Sequence, residues 1–496
     1  MWKNSAKHAD TEGWVTVSSN AESSDAGSSH TGSSHTGSSH ADADPEGGRD
    51  GRPSPGPTRR GGWRIEAERV VVTGVGAVTP LGADAKATWA AMLAGRGAAE
   101  PLTEDWAAQL PVRIAARAAA DPAEALGRVE ARKLDRCEQF SLVALREAWA
   151  DAGFVGPAEE HGTPAPDRVG VVIGSGLGGL GTLVENWTAL ARRGPRLVSP
   201  HTLPMIMPNG SAGQASLELG ARAFAHAPVS ACATGAEAVA AGLDQIRLGR
   251  ADVVAVGGTE AIIHPLALAA FSTMLAMSRR NDDPAHASRP FDLGRDGFVM
   301  GEGAAILILE SARHAESRGA HVYCELAGAG ISADAHHIAS PEPNGRGMTE
   351  ALRKALADAR LVAADVVHVN AHATATQQGD LAESRALAAV LGSGTLEARA
   401  KVGAGYCVSA TKSMSGHLIG AAGAVEAVAT VLALRDRVAP PTINLEDPDP
   451  RIEVDVVGGR PRPLPAGPVA ALSDSAGFGG HNVVLAFRAD PANTAS

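Results

Sequence analysis

The feature that most constrains the fold is an alternation of short apolar runs with helical periodicity, which begins at Val70. The first run, VVVTGVGAV, leads into a glycine turn and then into the helical pattern of ATWAAMLAG. Further strand-like runs follow, namely VGVVIGSG, VVAVGG, AAILILE, VVHVNAH and NVVLAF. Strands buried on both faces give continuous apolar runs, and their alternation with helices is typical of α/β layering. The pattern therefore predicts an α/β fold with a largely parallel core sheet.

A second β-rich section begins near Tyr323, so the sequence is compatible with two halves, although no internal repeat is visible in the letters. Residues 1–62 differ from both halves, because Ser, Gly, His, Asp and Pro dominate them and the pentad GSSHT repeats around His30, His35 and His40. Such a segment cannot bury enough apolar surface to offset the entropy of ordering it. We predict a disordered tail and, since the histidine spacing fits no fixed coordination geometry, no metal site in it.

Composition excludes several classes of protein. The formal net charge of −11 argues against nucleic-acid binding, which normally requires a basic excess. No run of about 18 apolar residues is present to span a bilayer, and MWKNSAKHADTEGW lacks the apolar stretch of a signal peptide. The spacing of Cys137, Cys232, Cys324 and Cys407 fits neither a disulfide framework nor a zinc site. We expect a cytoplasmic protein with no membrane contact.

One cysteine stands out by its position. Cys232 lies in PVSACATGAE, between a strand-like run and the helical pattern ATGAEAVAAGLDQIRLG. A strand, a tight turn and a helix would place this thiol at a helix N-terminus, where unpaired N–H groups and the macrodipole favour the thiolate. The small neighbours Ala231, Ala233 and Gly235 leave room for a substrate. The alternative is a small buried cysteine in an alanine-rich core.

Two histidines occupy similar junctions. VNAHATATQQGD places His372 directly after an apolar strand, with Asp380 and Glu383 following it. ATKSMSGHLIGAAGAVEA places Lys412 and His417 just ahead of a helix of small residues. A thiolate nucleophile needs partners that handle protons, and histidine is suited to that role. These residues are therefore candidates for a catalytic site with Cys232, although a lone loop histidine is usually a surface or core group.

The segment SDSAGFGGHN, residues 473–482, supplies a third junction. Its glycines allow sharp turns that can direct N–H groups at an oxyanion, although glycine-rich turns often only join strands. Neither this GxGG nor the early TGVGAVTPLG matches the dinucleotide-binding pattern GxGxxG.

Eight motifs in order resemble the β-ketoacyl-[acyl-carrier-protein] synthases, in particular the elongating enzymes of type II fatty acid synthesis. The resemblance runs from Arg69 to Arg488 through VVVTGVGAVTPLG, GSGLGGL, SACATGAEA, SRPFDLGRDGFVMGEGA, NAHATATQQGD, TKSMSGHLIGAAGAVE, PPTINLEDPDP and GFGGHN. It implies a thiolase-like fold, in which two similar βαβαβ halves form a five-layer α-β-α-β-α arrangement, and a homodimer. The N-terminal half, residues 63–318, would carry the nucleophilic cysteine, and the C-terminal half, residues 319–490, the two histidines.

The resemblance also implies roles. Cys232 would accept the acyl chain from the phosphopantetheine of acyl carrier protein, with no bound cofactor or metal. His372 and His417 would promote decarboxylation of malonyl-carrier protein and stabilise the enolate that attacks the acyl-cysteine. The N–H groups of Cys232 and Phe478 would form the oxyanion hole, with Phe478 also a gate, and Lys412 would pair with Glu383. Residues expected to contact substrate are Thr374, Thr376, Leu177, Phe271 and Gly479.

An acidic carrier protein would need a local cationic patch on this acidic chain. By resemblance Arg132, Lys133 and Arg196 are candidates for it, with ordinary solvated charges as the alternative. The sequence departs from the family at Leu275, where an arginine is replaced, and at Gln377, where proline is usual. Ala476 and Asp474 stand where Phe and Asn are more common. These changes bear on docking and substrate range more than on reaction type.

Several alternatives remain open from the sequence. A non-catalytic chain-length-factor-like partner would typically lack the cysteine, and a thiolase would carry a second cysteine where GFGGHN stands. A simple acyltransferase or decarboxylase would require loss of a histidine. The ketosynthase of a type II polyketide pathway shares all the catalytic residues. SACATGAEA and PPTINLEDPDP favour fatty acid elongation, whereas Ala476 and Asp474 favour the polyketide alternative.

Overall fold

Ten strands form one extended sheet in the computed structural model, which describes residues 68–159, 164–393 and 405–489. They are β1 (Val70–Val78), β2 (Val169–Gly174), β3 (Phe224–His226), β4 (Val253–Glu260), β5 (Gly303–Ser311), β6 (Cys324–Ala333), β7 (Val366–Asn370), β8 (Cys407–Ser409), β9 (Ala470–Gly477) and β10 (His481–Ala489). Two small ribbons pair Glu100–Pro101 with Ile114–Ala115 and Val438–Ala439 with Arg462–Pro463. The predicted disordered tail, residues 1–62, lies outside the described residues.

Helices connect these strands and cover the sheet. They are α1 (Ala85–Leu93), α2 (Pro122–Leu126), α3 (Arg128–Ala131), α4 (Arg136–Asp151), α5 (Leu180–Arg193), α6 (Thr202–Ile206), α7 (Gly210–Leu219), α8 (Thr234–Arg247), α9 (Pro265–Thr273), α10 (Ala312–Ser317), α11 (Arg346–Asp358), α12 (Gln377–Leu391), α13 (Lys412–Ser415) and α14 (Ala422–Asp436). Within the described ranges, no helix has the length and apolar character needed to cross a bilayer.

The strand order reveals an internal repeat that the letters do not show. The first half has the order β3-β2-β4-β5-β1, and the second half repeats it as β8-β7-β9-β10-β6. In both halves the first three strands are parallel and the next two pairings are antiparallel. The halves meet where β1 pairs with β6 at Val71 to Glu325 and Val72 to Cys324. The predicted division at residues 318 and 319 falls in the connection between α10 and β6.

The prediction of a largely parallel sheet is wrong, because half of the pairings within each half are antiparallel. The physical reason is that a continuous apolar run records burial on both faces of a strand and carries no information about its direction. β5 is such a strand, since all nine of its residues are buried.

Two helices lie between the halves and complete the predicted five layers. α8 packs on β2 and β4 of the first half and also on β6 and β10 of the second. α14 contacts both β5 and β9, and every residue from Ala422 to Leu434 is buried. A helix that is apolar on all sides is typical of such a central position. α4 and α7 cover the outer face of the first half, whereas α11, with α12 packed beside it, covers that of the second.

The central helices cross very closely at two glycines. A Cβ on Gly235 of α8 would lie 2.7 Å from the Ala424 nitrogen, and a Cβ on Gly423 of α14 would lie 2.7 Å from the Ala236 nitrogen. Because backbone atoms cannot move aside as a side-chain end can, only glycine allows this approach.

We expect Gly235→Ala to destabilise the protein by about 1–3 kcal/mol, because its methyl group would overpack the crossing. Gly213→Ala is the matched control, since Gly213 is also helical but a Cβ there would meet nothing within 4 Å. The control should gain about 0.5–1 kcal/mol from helix propensity alone. Thermal and denaturant unfolding at fixed protein concentration measure both effects, and equal stability of the two variants would contradict the close crossing.

Candidate active site

Cys232 lies on a single 3-10 turn, Ala231–Ala233, directly before α8. The turn is tight, since Ala231 has a φ of 51°, in the left-handed region that an alanine seldom adopts. The end of β9 presses against it, because a Cβ on Gly477 would lie 2.3 Å from the Ser230 oxygen and 3.3 Å from the Cys232 nitrogen. The strand, turn and helix predicted around this cysteine therefore exist, and they bring Cys232 beside the loop that contains Phe478.

A cavity of about 870 Å³ opens above this cysteine and contains most of the predicted site. Its walls include Cys232, His372, His417, Phe478, Phe271, Thr374 and Thr376. These residues are separated by up to 246 positions in the sequence yet share one space, which is the arrangement that a multi-step reaction on one substrate requires.

The two histidines face each other in this cavity. Their ring centroids are 5.4 Å apart and the rings are nearly perpendicular. Burial and the positive charge of Lys412 hold the pKa of both imidazoles well below the usual histidine range. The Nδ1 atoms of both rings are buried without a hydrogen-bond partner among the described residues. Both rings are therefore neutral at physiological pH, and each carries a single N–H.

The backbone holds each histidine in place. The His372 N–H donates to Glu383 Oε1 at 2.6 Å and to Asp474 Oδ1 at 2.9 Å. The His417 N–H donates to the Val299 oxygen at 2.7 Å, and its carbonyl accepts from Gly301 at 2.8 Å. Hydrogen bonds therefore hold the main chain of each histidine in place, and each imidazole ring extends from it into the cavity.

The protonation state of Cys232 differs from the sequence-based expectation. Burial raises the pKa of its thiol to about 12, while the charge of Lys412 and the N–H groups of Phe478 and Cys232 itself act in the opposite direction. The helix N-terminus was predicted to favour the thiolate, but the cost of burying an anion is larger in this setting. The resting group is therefore a thiol.

The pairing of Lys412 also differs from the expectation. Among the described residues its ion pair is with Glu426 on α14, and not with Glu383. Both carboxyl oxygens of Glu383 accept hydrogen bonds from the backbone. Oε2 accepts from the Ala373 N–H at 2.9 Å, and Oε1 accepts from the His372 N–H. Burial and the charge of Asp474 raise the pKa of Glu383 well above its usual range, and Lys412 acts on this carboxyl only through its charge, which opposes that rise. The short α13 points Lys412 toward α14 and so decides the pairing.

Glu426 was missed by the sequence reasoning. It is the only ionisable residue between Ala422 and Leu434 of a fully buried helix, and burial raises its pKa to about 7. A single acid within the apolar stretch Ala422–Leu434 was the available signal, because a buried carboxylate requires a partner.

Glu260, at the end of β4, was also missed. Its carboxylate accepts from Ser175 Oγ at 3.0 Å, from Gly176 N–H at 2.9 Å and from Gly420 N–H at 3.1 Å. It therefore ties the loop before α5 to the turn that follows His417. The signal was an acid closing the apolar run VVAVGGTE.

The remaining predicted residues lie at different distances from the cavity. The Thr374 and Thr376 hydroxyls are 3.2 Å apart on its wall, and the Phe271 ring lies 6.2 Å from that of Phe478. Leu177 is about half exposed (45%) on the loop before α5 and Gly479 donates to the Ile338 oxygen, and neither lines the cavity. The proposed docking residues Arg132, Lys133 and Arg196 are exposed and also lie outside it.

The duplicated five-layer fold, with a cysteine at the start of a helix between the halves, defines a condensing enzyme of the thiolase-like class. Within that class the chain belongs to the β-ketoacyl synthase family. The family model of the beta-ketoacyl synthase N-terminal domain matches residues 67–315, and that of the C-terminal domain matches residues 323–446. The expectation of family and fold from the eight motifs is thereby confirmed.

Named relatives cover nearly the whole described chain. A 3-oxoacyl-[acyl-carrier-protein] synthase 2 from Synechocystis sp. is 43% identical over 86% of this chain and 99% of its own length. A crystal structure of a beta-ketoacyl synthase from Burkholderia phymatum has a TM-score of 0.76 at 35% identity, covering 85% of this chain and all of that one. A type II PKS ketosynthase in complex with its acyl-carrier protein has a TM-score of 0.75 at 30% identity, covering 86% and 100%.

Because the charge of Lys412 is the largest influence that opposes burial at Cys232, its loss should raise the pKa of that thiol further. We expect Lys412→Met to slow alkylation of Cys232 by iodoacetamide at pH 8 roughly ten-fold, the effect of one pKa unit. Lys354→Met on the exposed face of α11 is the control and should react as the wild type does. Peptide mass mapping locates the label, and an unchanged rate in Lys412→Met would contradict this electrostatic role.

Proposed function

We propose that this chain catalyses a decarboxylative Claisen condensation that extends an acyl chain by two carbons as 3-oxoacyl-carrier protein. The observation that carries the proposal is the meeting of Cys232, two neutral imidazoles and the N–H groups of Cys232 and Phe478 in one cavity. The relatives named 3-oxoacyl-[acyl-carrier-protein] synthase 2 support the same reaction.

In the first step the sulfur of Cys232 attacks the thioester carbonyl of an acyl-carrier protein. The N–H groups of Cys232 and Phe478 already interact with the sulfur and are placed to receive the oxyanion that forms beside it. The carrier thiolate leaves and takes up the proton that the Cys232 thiol loses. Since that thiol is protonated at rest, a neutral imidazole beside it is suited to relay the proton.

In the second step the malonyl group loses CO₂, and the electron pair of the broken C–C bond becomes an enolate on the thioester. A neutral imidazole can donate its N–H to the enolate oxygen without first giving up a proton, and His372 and His417 supply two such donors. The enolate carbon then attacks the acyl-cysteine carbonyl, and the Cys232 thiolate leaves and regains a proton.

Substrates are proposed to arrive on the phosphopantetheine arm of acyl carrier protein, with no further cofactor. The hydroxyls of Thr374 and Thr376 on the cavity wall offer hydrogen bonds to the amide groups of that arm. Exposed Arg132, Lys133 and Arg196 remain the proposed contacts of the acidic carrier. The solved ketosynthase in complex with its acyl-carrier protein supports this kind of partner.

Fatty acid elongation is the proposed pathway, supported by relatives at 41–44% identity that share the name 3-oxoacyl-[acyl-carrier-protein] synthase 2. A type II polyketide ketosynthase is the second candidate, since a solved neighbour of that kind is 30% identical and the small residue Ala476 lines the cavity where Phe is more common in the family. A non-catalytic partner is disfavoured by the presence of Cys232 with both histidines. A reducing, cytoplasmic setting is also proposed, supported by four cysteines that form no disulfide bond among the described residues.

A homodimer is proposed from two exposed features of the first half. β3 lies at the edge of the extended sheet with its far side unpaired by any described strand. The second feature is α5, which follows β2 and exposes the apolar side chains of Leu183, Trp187 and Leu190, with Trp187 67% exposed. An open edge and an apolar helix face are normally covered, and a two-fold axis makes one surface complementary to itself.

Replacing Cys232 by Ala should abolish acylation and lower condensation at least about a thousand-fold, because the nucleophile is lost. Intact-mass measurement after incubation with acyl-carrier protein, followed by malonyl-carrier protein, detects the adduct and its extension. Cys407→Ala, at a buried cysteine on β8, should keep the adduct. Condensation by Cys232→Ala at the wild-type rate would contradict the assignment.

Trp187→Glu should convert the dimer to a monomer, because it places a carboxylate in an apolar interface. Sedimentation velocity gives the mass of each form. The control Val362→Glu alters another exposed apolar residue, in the second half of the chain, and should leave the dimer intact. A wild-type protein that is already monomeric would refute the proposal, as would a dimeric Trp187→Glu.

A further inference from the structure

Three buried acids surround one buried lysine beneath His372. Glu383 comes from α12, Asp474 from β9 and Glu426 from α14, and the only cation among them is Lys412. Lys412 is engaged with Glu426. Glu383 and Asp474 are therefore left beside each other without a cation of their own, in a place where like charges are poorly screened.

The geometry puts these two carboxyl groups in contact. One N–H, that of His372, donates to Glu383 Oε1 at 2.6 Å and to Asp474 Oδ1 at 2.9 Å, so the two oxygens are immediate neighbours. The second oxygen of Glu383 accepts from Ala373 N–H. Both carboxyl groups are buried, and Asp474 Oδ2 has no hydrogen-bond partner among the described residues. Two adjacent carboxyl oxygens can form a hydrogen bond with each other only when a proton lies between them.

The environment of Glu383 and Asp474 favours a proton that stays bound to this pair of carboxyl groups. Burial, followed by the charge of Asp474, raises the pKa of Glu383 well above its usual range, and burial raises the pKa of Asp474 to about 6. Glu426 adds to the rise at Asp474, while Lys412 opposes it at both acids. The other titratable groups nearby, His372 and His417, are neutral.

We propose that Asp474 is a positioning residue for the condensation, in which Asp474 and Glu383 share one proton and together hold the backbone of His372. This inference rests on the proposed function for its effect on turnover but not for the shared proton itself. The pair holds the His372 N–H between two oxygens, and this contact sets where the imidazole enters the cavity.

Aspartate at this position makes the contact depend on pH. While the proton is present, Asp474 can accept from His372 and stay hydrogen-bonded to Glu383. When pH rises through the upper pKa of the pair, the proton leaves and two adjacent carboxylates repel each other. The turn at His372 then loses its fixed geometry, and kcat falls on the alkaline side. An asparagine would donate its own N–H to Glu383 at every pH, so it would remove this ionisation.

The first test is infrared difference spectroscopy at pH 7 between the wild type and Asp474→Asn. We expect the wild type to show one additional protonated carboxylic acid C=O band, which Glu383→Gln also removes. This measurement needs no substrate, so it tests the pair even if the proposed reaction is wrong. Identical carboxylic acid bands in the wild type and Asp474→Asn would overturn the shared proton.

The second test is the pH dependence of condensation. The ratio of kcat at pH 9 to kcat at pH 7 should increase at least three-fold in Asp474→Asn, while KM for the carrier-bound substrates should change less than kcat. Ser475→Ala, the next residue on the same strand, alters no ionisable group and should keep the wild-type ratio. Asp474→Ser, whose hydroxyl can also donate to Glu383, repeats the test if the first variant does not fold. A ratio unchanged in the variants, or equally changed in Ser475→Ala, would overturn the positioning role.

Discussion

The close crossing of α8 and α14 is the contact on which the rest of the structure depends. Gly235 and Gly423 let the two helix backbones approach closely between the two halves of the extended sheet. Each helix is preceded by a 3-10 turn, Ala231–Ala233 and Ile419–Ala421, and the two turns contact each other. The crossing therefore brings Cys232 from one half and His417 from the other to the same cavity. A wider separation of the helices would move Cys232 away from His417.

Burial then decides which groups are charged in that cavity. Transfer of an ion into the interior is costly, so the thiol of Cys232 keeps its proton and both imidazoles stay neutral. Lys412 is the one buried cation in this cluster, and its charge reaches the cysteine, the histidines and the acids alike. Its pairing with Glu426 keeps that charge within the site without occupying the acid that holds His372.

The sequence predicted local features better than distant ones. The apolar runs located the strands, and the small-residue junctions located Cys232, His372 and His417. It could not predict strand direction, because burial on two faces leaves the same pattern in parallel and antiparallel strands. It could not predict the partner of Lys412 either, since that choice depends on where α13 and α14 lie after folding. The internal repeat could not be predicted for a related reason. The two halves share their strand order, but their amino-acid sequences are not visibly similar.

The two halves differ at the equivalent turns that precede α8 and α14. Ala231 and Ile419 begin the turns with nearly the same left-handed φ, 51° and 49°, so Gly420 stands where the first half has Cys232. The carboxyl group of Glu260 from β4 accepts a hydrogen bond from the Gly420 N–H, so that N–H is already occupied. At Cys232 the strand end is instead Gly477, which has no side chain, and the N–H groups of Cys232 and Phe478 stay available to an oxyanion. The same backbone therefore anchors a loop in one half and carries the proposed oxyanion-binding N–H groups in the other.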